Sequence, residues 1–424
     1  MIETIGLGPD LARTAEALGE AAHEAGLRPG SVRLQGLGSR ELHALAARGG
    51  YPRRHRSWRF GAEFHRLERA RLRGASRLLE LVTFGEPTVA SLDVGNAPAE
   101  QRLVMAHVLG HADLFAHSRW FAGVGAHVGE ALATNAVRVE AWVEHVGASR
   151  VEAMLDRLHP LCEVVDPELL LGGRFRTATS PGDLLGLLLE HAELEAWERD
   201  LVRIVREEAY ALLPPRITRV INEGWASLWH ATLLPGPLLA SHEVGHAART
   251  HARATATGAG GLNPYRLGLE LLRHACGRGL DPFALRAVHH DLGLVEAVFD
   301  ARFAASPAWG ELVTARGWER GTWLQERAAL RLELVNAGRP RLRAEREGDV
   351  LTLVHGHDGR DLELDEAGAV LLGLSSLWHG EVRLLTLHSG GGVCLRVGTG
   401  GGLEQEGWPQ ALERCRLSTT SAAA

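Results

Sequence analysis

The chain has 424 residues, an apolar content of 45% and a net charge of −6 with both signs interspersed. That length supports one large core or two to three smaller ones. The charge balance excludes a field of the kind that holds nucleic acid, since the densest basic run, Arg53 to Arg59, is short and interrupted by Trp58. The four cysteines, Cys162, Cys276, Cys394 and Cys415, are scattered without a CxxC, which argues against a zinc knuckle or a disulfide framework. Residues 1 to 20 carry Asp10, Arg13, Glu16 and Glu20 in place of an apolar leader. No apolar stretch reaches the roughly 20 residues that span a bilayer. A soluble, cytoplasmic protein with no nucleic-acid binding and no membrane insertion is therefore expected.

In chain order, residues 7 to 49 read as short helical segments separated by Gly and Pro. Leu67 to Phe84 has apolar residues at three- and four-residue intervals and predicts a helix. A short strand is expected at Thr88 to Val94. Pro98 sits near the first turn of the next helix, whose apolar spacing runs through Leu103, Met105 and Leu114. Residues 131 to 157 predict a helix pair interrupted at Gly147. Ser180, Pro181 and Asp183 form a helix-start signal, and that helix is expected to reach Tyr210. Pro214 and Pro215 break it. The following RITRVINEGWASLWHATLL is apolar on nearly every face, the mark of a helix buried all round. A further helix is expected from Leu238 to Arg253, then a Gly-rich linker, then a helix capped by Asn263 and starting at Pro264. After Gly338 the period changes: LTLVH, RDLEL, EVRLLTL and VCLRV read as strands around one helix, DEAGAVLLGLSSLWHG. The expected architecture is a mainly α-helical N-terminal and central region (1–335), a small C-terminal α+β domain (336–412) and a disordered tail (413–424).

Two pairs of residues carry chemistry. His107 and His111 lie four apart on a predicted helix, so both imidazoles point the same way and can share one metal ion. HVLGH resembles the zinc-protease HExxH, but Val108 stands where the catalytic Glu would be. Glu223, Ser227 and His230 share one face of the buried helix. A buried carboxylate needs a metal, an Arg or a His to compensate it. His107, His111 and Glu223 together would make a two-His, one-carboxylate set, which suits zinc in hydrolases and also non-haem iron. Trp225 and Trp229 are expected to wall it. On the preceding helix, His191 and Glu208 end an apolar stripe. Glu208 is the candidate general base that Val108 cannot be, and His230 a second catalytic candidate. Each of these residues also has a bland reading, as a core or boundary His or as half of a structural Glu–Arg pair.

A complete HExxH lies elsewhere, at His242-Glu243-Val244-Gly245-His246, with Glu270 as a third ligand 24 residues downstream. Five-residue matches arise by chance in a chain with 22 His, and the flanking segment is Ala-rich and weakly amphipathic. A glycine-rich phosphate loop and a G-x-S-x-G elbow are both lacking, which leaves nucleotide and serine chemistry unsupported.

Four blocks carry a resemblance: Trp58 to His65, Leu103 to Phe115, Leu188 to His230 with its specific NEGWASLWH, and Gly261 to Leu271. LTLVHGHDGRDLEL and SSLWHGEVRL add to it near the C-terminus. The chain resembles the stage V sporulation protein R family over most of residues 50 to 390. By position, the resemblance implies His107, His111, Asn222, Glu223, Gly224, Trp225 and His230 as family residues, with His242 as a fourth metal ligand. Asn263, Pro264 and Tyr265 look family-like and structural. His246 and Glu243 do not match family features. The first block departs from the family, with Ser57 where a His is common. The resemblance implies a role in spore cortex formation or in stress and envelope physiology, with a serine protein kinase and a von Willebrand-like protein as partners. The expectation is a scaffold or regulatory protein with a buried His/Glu site for a divalent metal (Zn or Fe). The alternative is a metal-dependent, zinc-peptidase-like hydrolase acting on a peptide or peptidoglycan precursor.

Overall fold

A computed structural model describes residues 1–74, 77–234, 238–257 and 261–415. The fold is predominantly helical with two small sheets, one of them near the C-terminus. Among the described residues, no helix is long and apolar enough to cross a membrane. The chain forms two compact units: Met1–Ala136 with Pro214–Arg331, and Val137–Leu213 with the segment from Leu332 onward.

The first unit opens with β1 (Ile2–Ile5), helix Pro9–Glu24 and β2 (Val32–Leu37). It adds β3 (Glu80–Thr83) and β4 (Thr88–Asp93) in the order β1-β2-β4-β3. β1, β2 and β4 are parallel, and β3 runs antiparallel to β4. Helix Pro9–Glu24 buries Ala15, Leu18 and Ala22, a stripe at helical spacing. The helix expected from Leu67 to Phe84 is cut short. Helix Trp58–Leu72 stops before Gly74, which adopts the left-handed conformation with φ +67°, and Glu80 to Thr83 pair as a strand. Ser57, the departure from the family pattern, caps that helix by accepting from the Arg59 amide.

Three helices make the centre of this unit: Pro98–His117, Arg219–Leu233 and Pro264–Gly277. Their backbones touch through glycines. A Cβ at Gly110 would lie 2.7 Å from the Ala226 Cα, one at Gly224 2.3 Å from the Gly268 carbonyl carbon, and one at Gly268 2.0 Å from the Val220 carbonyl oxygen. Helix Arg219–Leu233 follows a short turn of helix, Pro214–Ile217, as the paired prolines require. Asp291 caps it, accepting from the Val220 and Ile221 amides at 3.0 Å each. Asn263 caps Pro264–Gly277 as expected. The helix expected from Leu238 is shorter, Val244–Ala254.

Gly147, whose φ is 93°, splits helices Val128–Val146 and Ala148–Leu158, and the second unit takes in the first of these from Val137 and all of the second. The single helix expected from Ser180 to Tyr210 is two, Leu184–His191 and Ala196–Ala211. Asp183 caps the first of these, accepting from the Gly186 amide at 3.0 Å, while Ser180 donates to Asp166. The Arg199 guanidinium donates to the Leu189 and Ala192 carbonyls that the break leaves unpaired within the helix. The C-terminal sheet comprises β5 (Leu342–Glu347), β6 (Val350–His355), β7 (Val382–His388), β8 (Gly391–Val397) and β9 (Leu403–Gly407), in that order. Only β6 and β7 are parallel, and helix Leu364–Trp378 makes the crossover between them. LTLVH, EVRLLTL and VCLRV are strands as expected. RDLEL is not: Asp361 instead pairs with His357 and accepts from the Ser389 amide.

Leu184, Leu188, Leu201 and Ile204 share one buried core with Leu351, Leu353, Leu384 and Leu395. The α+β part is therefore larger than residues 336–412, because segment 137–213 belongs to the same compact unit. Of the expected disordered tail, Glu413 to Cys415 lie in helix Ala411–Cys415, and residues 416–424 fall outside the described residues.

Candidate functional site

Helices Pro98–His117 and Arg219–Leu233 bring His107, His111 and Glu223 together. Glu223 Oε2 lies 3.5 Å from His107 Nε2 and 3.6 Å from His111 Nε2. The three ligand atoms all lie within 4.8 Å of one another. Their side chains are 3%, 7% and 19% exposed for His107, His111 and Glu223 respectively, so the carboxylate is the most open member. His107 Nε2 and Glu223 Oε2 are both buried without an aligned hydrogen bond. Two buried polar atoms facing each other and unbonded are costly unless something sits between them. A zinc ion at about 2.0–2.1 Å from N and O ligands in tetrahedral geometry places those ligands roughly 3.3–3.4 Å apart. The two carboxylate–imidazole separations, 3.5 and 3.6 Å, lie close to that value, so the donor set fits a divalent ion.

A second layer orients the imidazoles. The Asn222 side-chain oxygen lies 2.8 Å from His111 Nδ1 and accepts a hydrogen bond from its N–H, leaving Nε2 with a lone pair toward the cluster. His107 Nδ1 meets His230 Nδ1 at 3.0 Å, and His230 Nε2 meets His251 Nδ1 at 2.6 Å. Tyr265 stacks on His107 with its ring 5.8 Å away and 14° from parallel, its hydroxyl directed to Glu223. Phe115 stacks on His111 at 5.9 Å. From β3, Glu80 acts electrostatically on both His107 and Glu223.

Burial works against charge throughout, and the neighbours decide where charge survives. Burial pushes the Glu223 carboxyl up, but His111 and His107 more than offset this and hold it below the usual range. Burial likewise opposes a cationic His107, yet the Glu223 and Glu80 carboxylates outweigh it and raise its pKa. His111 falls to about 4 through burial and then the His107 charge. His230 drops well below its ordinary value, again by burial first. Enclosure also pushes Glu80 up. The downward shift of His111 favours neutral imidazole, the form in which the ring ligates metal, whereas the neighbouring carboxylates draw His107 toward its protonated form.

The remaining sequence candidates lie elsewhere. His242 is exposed, in the turn before helix Val244–Ala254, and is not part of the cluster. Because that helix starts after His242, His242 and His246 do not share a helix face. Glu243 pairs with Arg102 at 2.6 Å and accepts from the Ala240 amide, while His246 pairs with Glu100. Glu270 is held by Arg266 and Arg273. Among the described residues, His107, His111 and Glu223 are the one group placed to hold a metal. Glu208 is buried on helix Ala196–Ala211 in the second unit, whereas the cluster is built wholly from the first. His191, also in the second unit, meets Arg346 and Glu190. His230 joins the cluster as a partner of His107. Trp225 and Trp229 pack on each other and on Phe283, and the Trp225 indole donates to Asp113. Glu80 and His251 had no distinguishing sequence signal: one lies on a four-residue strand, the other on an Ala-rich helix.

Replacing His230 with Ala is expected to weaken metal affinity about 10–100-fold without abolishing binding, the effect of removing an outer partner of a ligating His. Metal competition titrations check this. An unchanged affinity would mean that His230 does not orient His107.

The family described as SpoVR like protein matches residues 8–174 and 173–279, which include all three cluster residues. A curated relative from Escherichia coli (strain K12), described as uncharacterized protein YcgB, is 27% identical over 231 residues, 44% of this chain and 45% of the relative. The matched region thus spans less than half of that relative's length. No solved structure matches significantly. With the family match running through most of the first unit and across the His/His/Glu cluster, the chain belongs to the SpoVR-like family.

Proposed function

We propose that the protein is a metal-dependent hydrolase acting on an amide bond in a peptide or peptidoglycan precursor, with His107, His111 and Glu223 as the ligands of a zinc or iron ion. One observation carries this reading: His107, His111 and Glu223 converge their ligand atoms in the interior, with Glu223 Oε2 3.5 Å from His107 Nε2 and 3.6 Å from His111 Nε2. Three protein ligands, unlike the four of a closed structural site, leave a coordination position for substrate. A divalent ion held there supplies Lewis acidity toward a carbonyl oxygen and lowers the pKa of water. The chain's own residues do the rest. Asn222 and His230 fix the two imidazoles, Tyr265 packs against His107 and orients Glu223, and Glu80, which acts electrostatically on His107 and Glu223, is assigned as the general base of this reading.

A regulatory or scaffold protein with a structural ion is the second reading. It is favoured by Val108, an apolar residue where an HExxH helix carries its base. A role in spore cortex formation or in stress and envelope physiology, and partnership with a serine protein kinase and a von Willebrand-like protein, belong to either reading as proposals.

Metal content by mass spectrometry tests the site. The parent protein, purified without chelator, is expected to hold about one Zn or Fe per chain. Glu223→Ala is expected to lose it and His246→Ala to keep it. Loss confined to the His246 variant would move the site to the HExxH segment, and a metal-free parent would remove both. With metal in place, release of amine from a peptide library by the parent but not by Glu80→Gln supports hydrolysis. Full metal occupancy with no turnover supports the scaffold.

A further inference from the structure

On the sheet of the first unit lies a cavity of about 630 Å³ that the metal cluster does not use. That volume is in the range of small-ligand sites. Its floor follows from the strand register: Arg33 on β2 pairs with Val89 on β4, which pairs with Thr83 on β3, and Leu37 lies further along the same face of β2. Tyr51, Pro52 and Phe84 form a wall, and the Tyr51 hydroxyl donates to the Phe84 carbonyl, so that wall has no polar group left to satisfy there.

The charged side chains lining the cavity are of both signs. Arg33 is neutralised by Glu3 at 2.6 Å, Glu41 accepts from the Gly38 amide, and Glu130 is accompanied by His127. Two charges stand out. Arg48 donates to the Pro52 carbonyl but has no carboxylate partner among the described residues, and Glu86 has no cationic partner there. One exposed cation and one exposed anion, each without a protein counter-ion and lining a cavity that also presents Leu37, Val89, Tyr51 and Phe84, complement a ligand that carries both charges and an apolar body.

We propose that this cavity binds a short peptide with free termini, its carboxylate on Arg48, its ammonium on Glu86 and its side chain on the floor of Leu37 and Val89. The site is independent of the metal reading, because none of the cluster residues lines it. It nevertheless adjoins the cluster. Phe84 packs on Phe115 with ring centres 5.9 Å apart, and Phe115 stacks on His111. An occupant of the cavity therefore bears on the packing behind one metal ligand.

Calorimetry on the full chain with the dipeptide alanyl-phenylalanine tests the proposal, alongside its N-acetylated and C-amidated forms. The free dipeptide is expected to bind, with each blocking group weakening it about tenfold or more, the worth of a charge-assisted hydrogen bond. Arg48→Gln should weaken the free dipeptide equally but leave the amidated form no weaker than it already is. Glu86→Gln should show the same pattern with the acetylated form. Neither side chain supports the core, and circular dichroism confirms folding. Absence of heat at millimolar dipeptide would overturn the proposal. So would binding that is indifferent to blocking, or losses in the two variants that add to those of the blocking groups.

Discussion

Gly268→Ala is expected to cost about 3 kcal/mol or more of stability and to lower metal content with it. The added methyl would lie 2.0 Å from the Val220 carbonyl oxygen and 2.8 Å from the Gly224 Cα. Both are backbone atoms of a neighbouring helix, so no side chain can swing aside. The two helices must separate, and the one that moves, Arg219–Leu233, carries Glu223. Chemical denaturation measures the first effect and mass spectrometry the second. Gly61→Ala is the control. It is also helical, with nothing within 4 Å of its added methyl, and should be neutral or stabilising by up to about 1 kcal/mol. If Gly268→Ala remained within about 0.5 kcal/mol of the parent, the close crossing would be wrong.

Asp113→Ala should be comparably severe, at about 3–5 kcal/mol, because it strands a buried cation. Asp113 has no exposed surface. It accepts from the Arg28 amide at 2.8 Å and the Trp225 indole at 3.1 Å, and pairs with the Arg286 guanidinium at 2.7 Å. Arg286 is 5% exposed and lies over the Trp225 and Phe283 rings. Burial already pulls its pKa below the usual guanidinium value, and Asp113 is its main compensation. The double replacement Asp113→Ala with Arg286→Met removes charge and counter-charge together and should recover much of the loss. Thermal and denaturant unfolding of the four proteins decide it. A double variant as unstable as the sum of the singles would show that the pair contributes through shape, not charge.

The half of the site that lies within helices was legible in the sequence. Four-residue spacing placed His107 beside His111, and seven-residue spacing placed Glu223 and His230 on one face. Their meeting was not legible from spacing, because it depends on close approach of helices more than 100 residues apart through Gly110 against Ala226, while Gly224 and Gly268 bring in the third helix, and in sequence all three glycines look like helix weaknesses. Glu80 was hidden for a different reason. Apolar residues at mixed intervals from Leu67 to Phe84 satisfy a helical period, and only the left-handed Gly74 ends the helix in time for a strand to form. β5 and β9 read as LRAERE and LEQEG, edge strands in which only Leu342 and Ala344 turn toward the core, too few to impose a visible alternation. The affiliation of residues 137–213 escaped because their apolar stripes show that they need a partner but not which one.

That affiliation sets a schedule for synthesis. Helices Leu184–His191 and Ala196–Ala211 leave the ribosome well before β5, their partner in the same core, begins at Leu342. At ordinary elongation rates the wait is on the order of 10 s. During it, Leu184, Leu188, Leu201 and Ile204 lack the strands that finally cover them, while the intervening segment completes the unit that carries the His/His/Glu cluster. The nascent chain thus finishes its His/His/Glu cluster first and leaves an unfinished apolar surface to the last, which makes the second unit the part most in need of a chaperone.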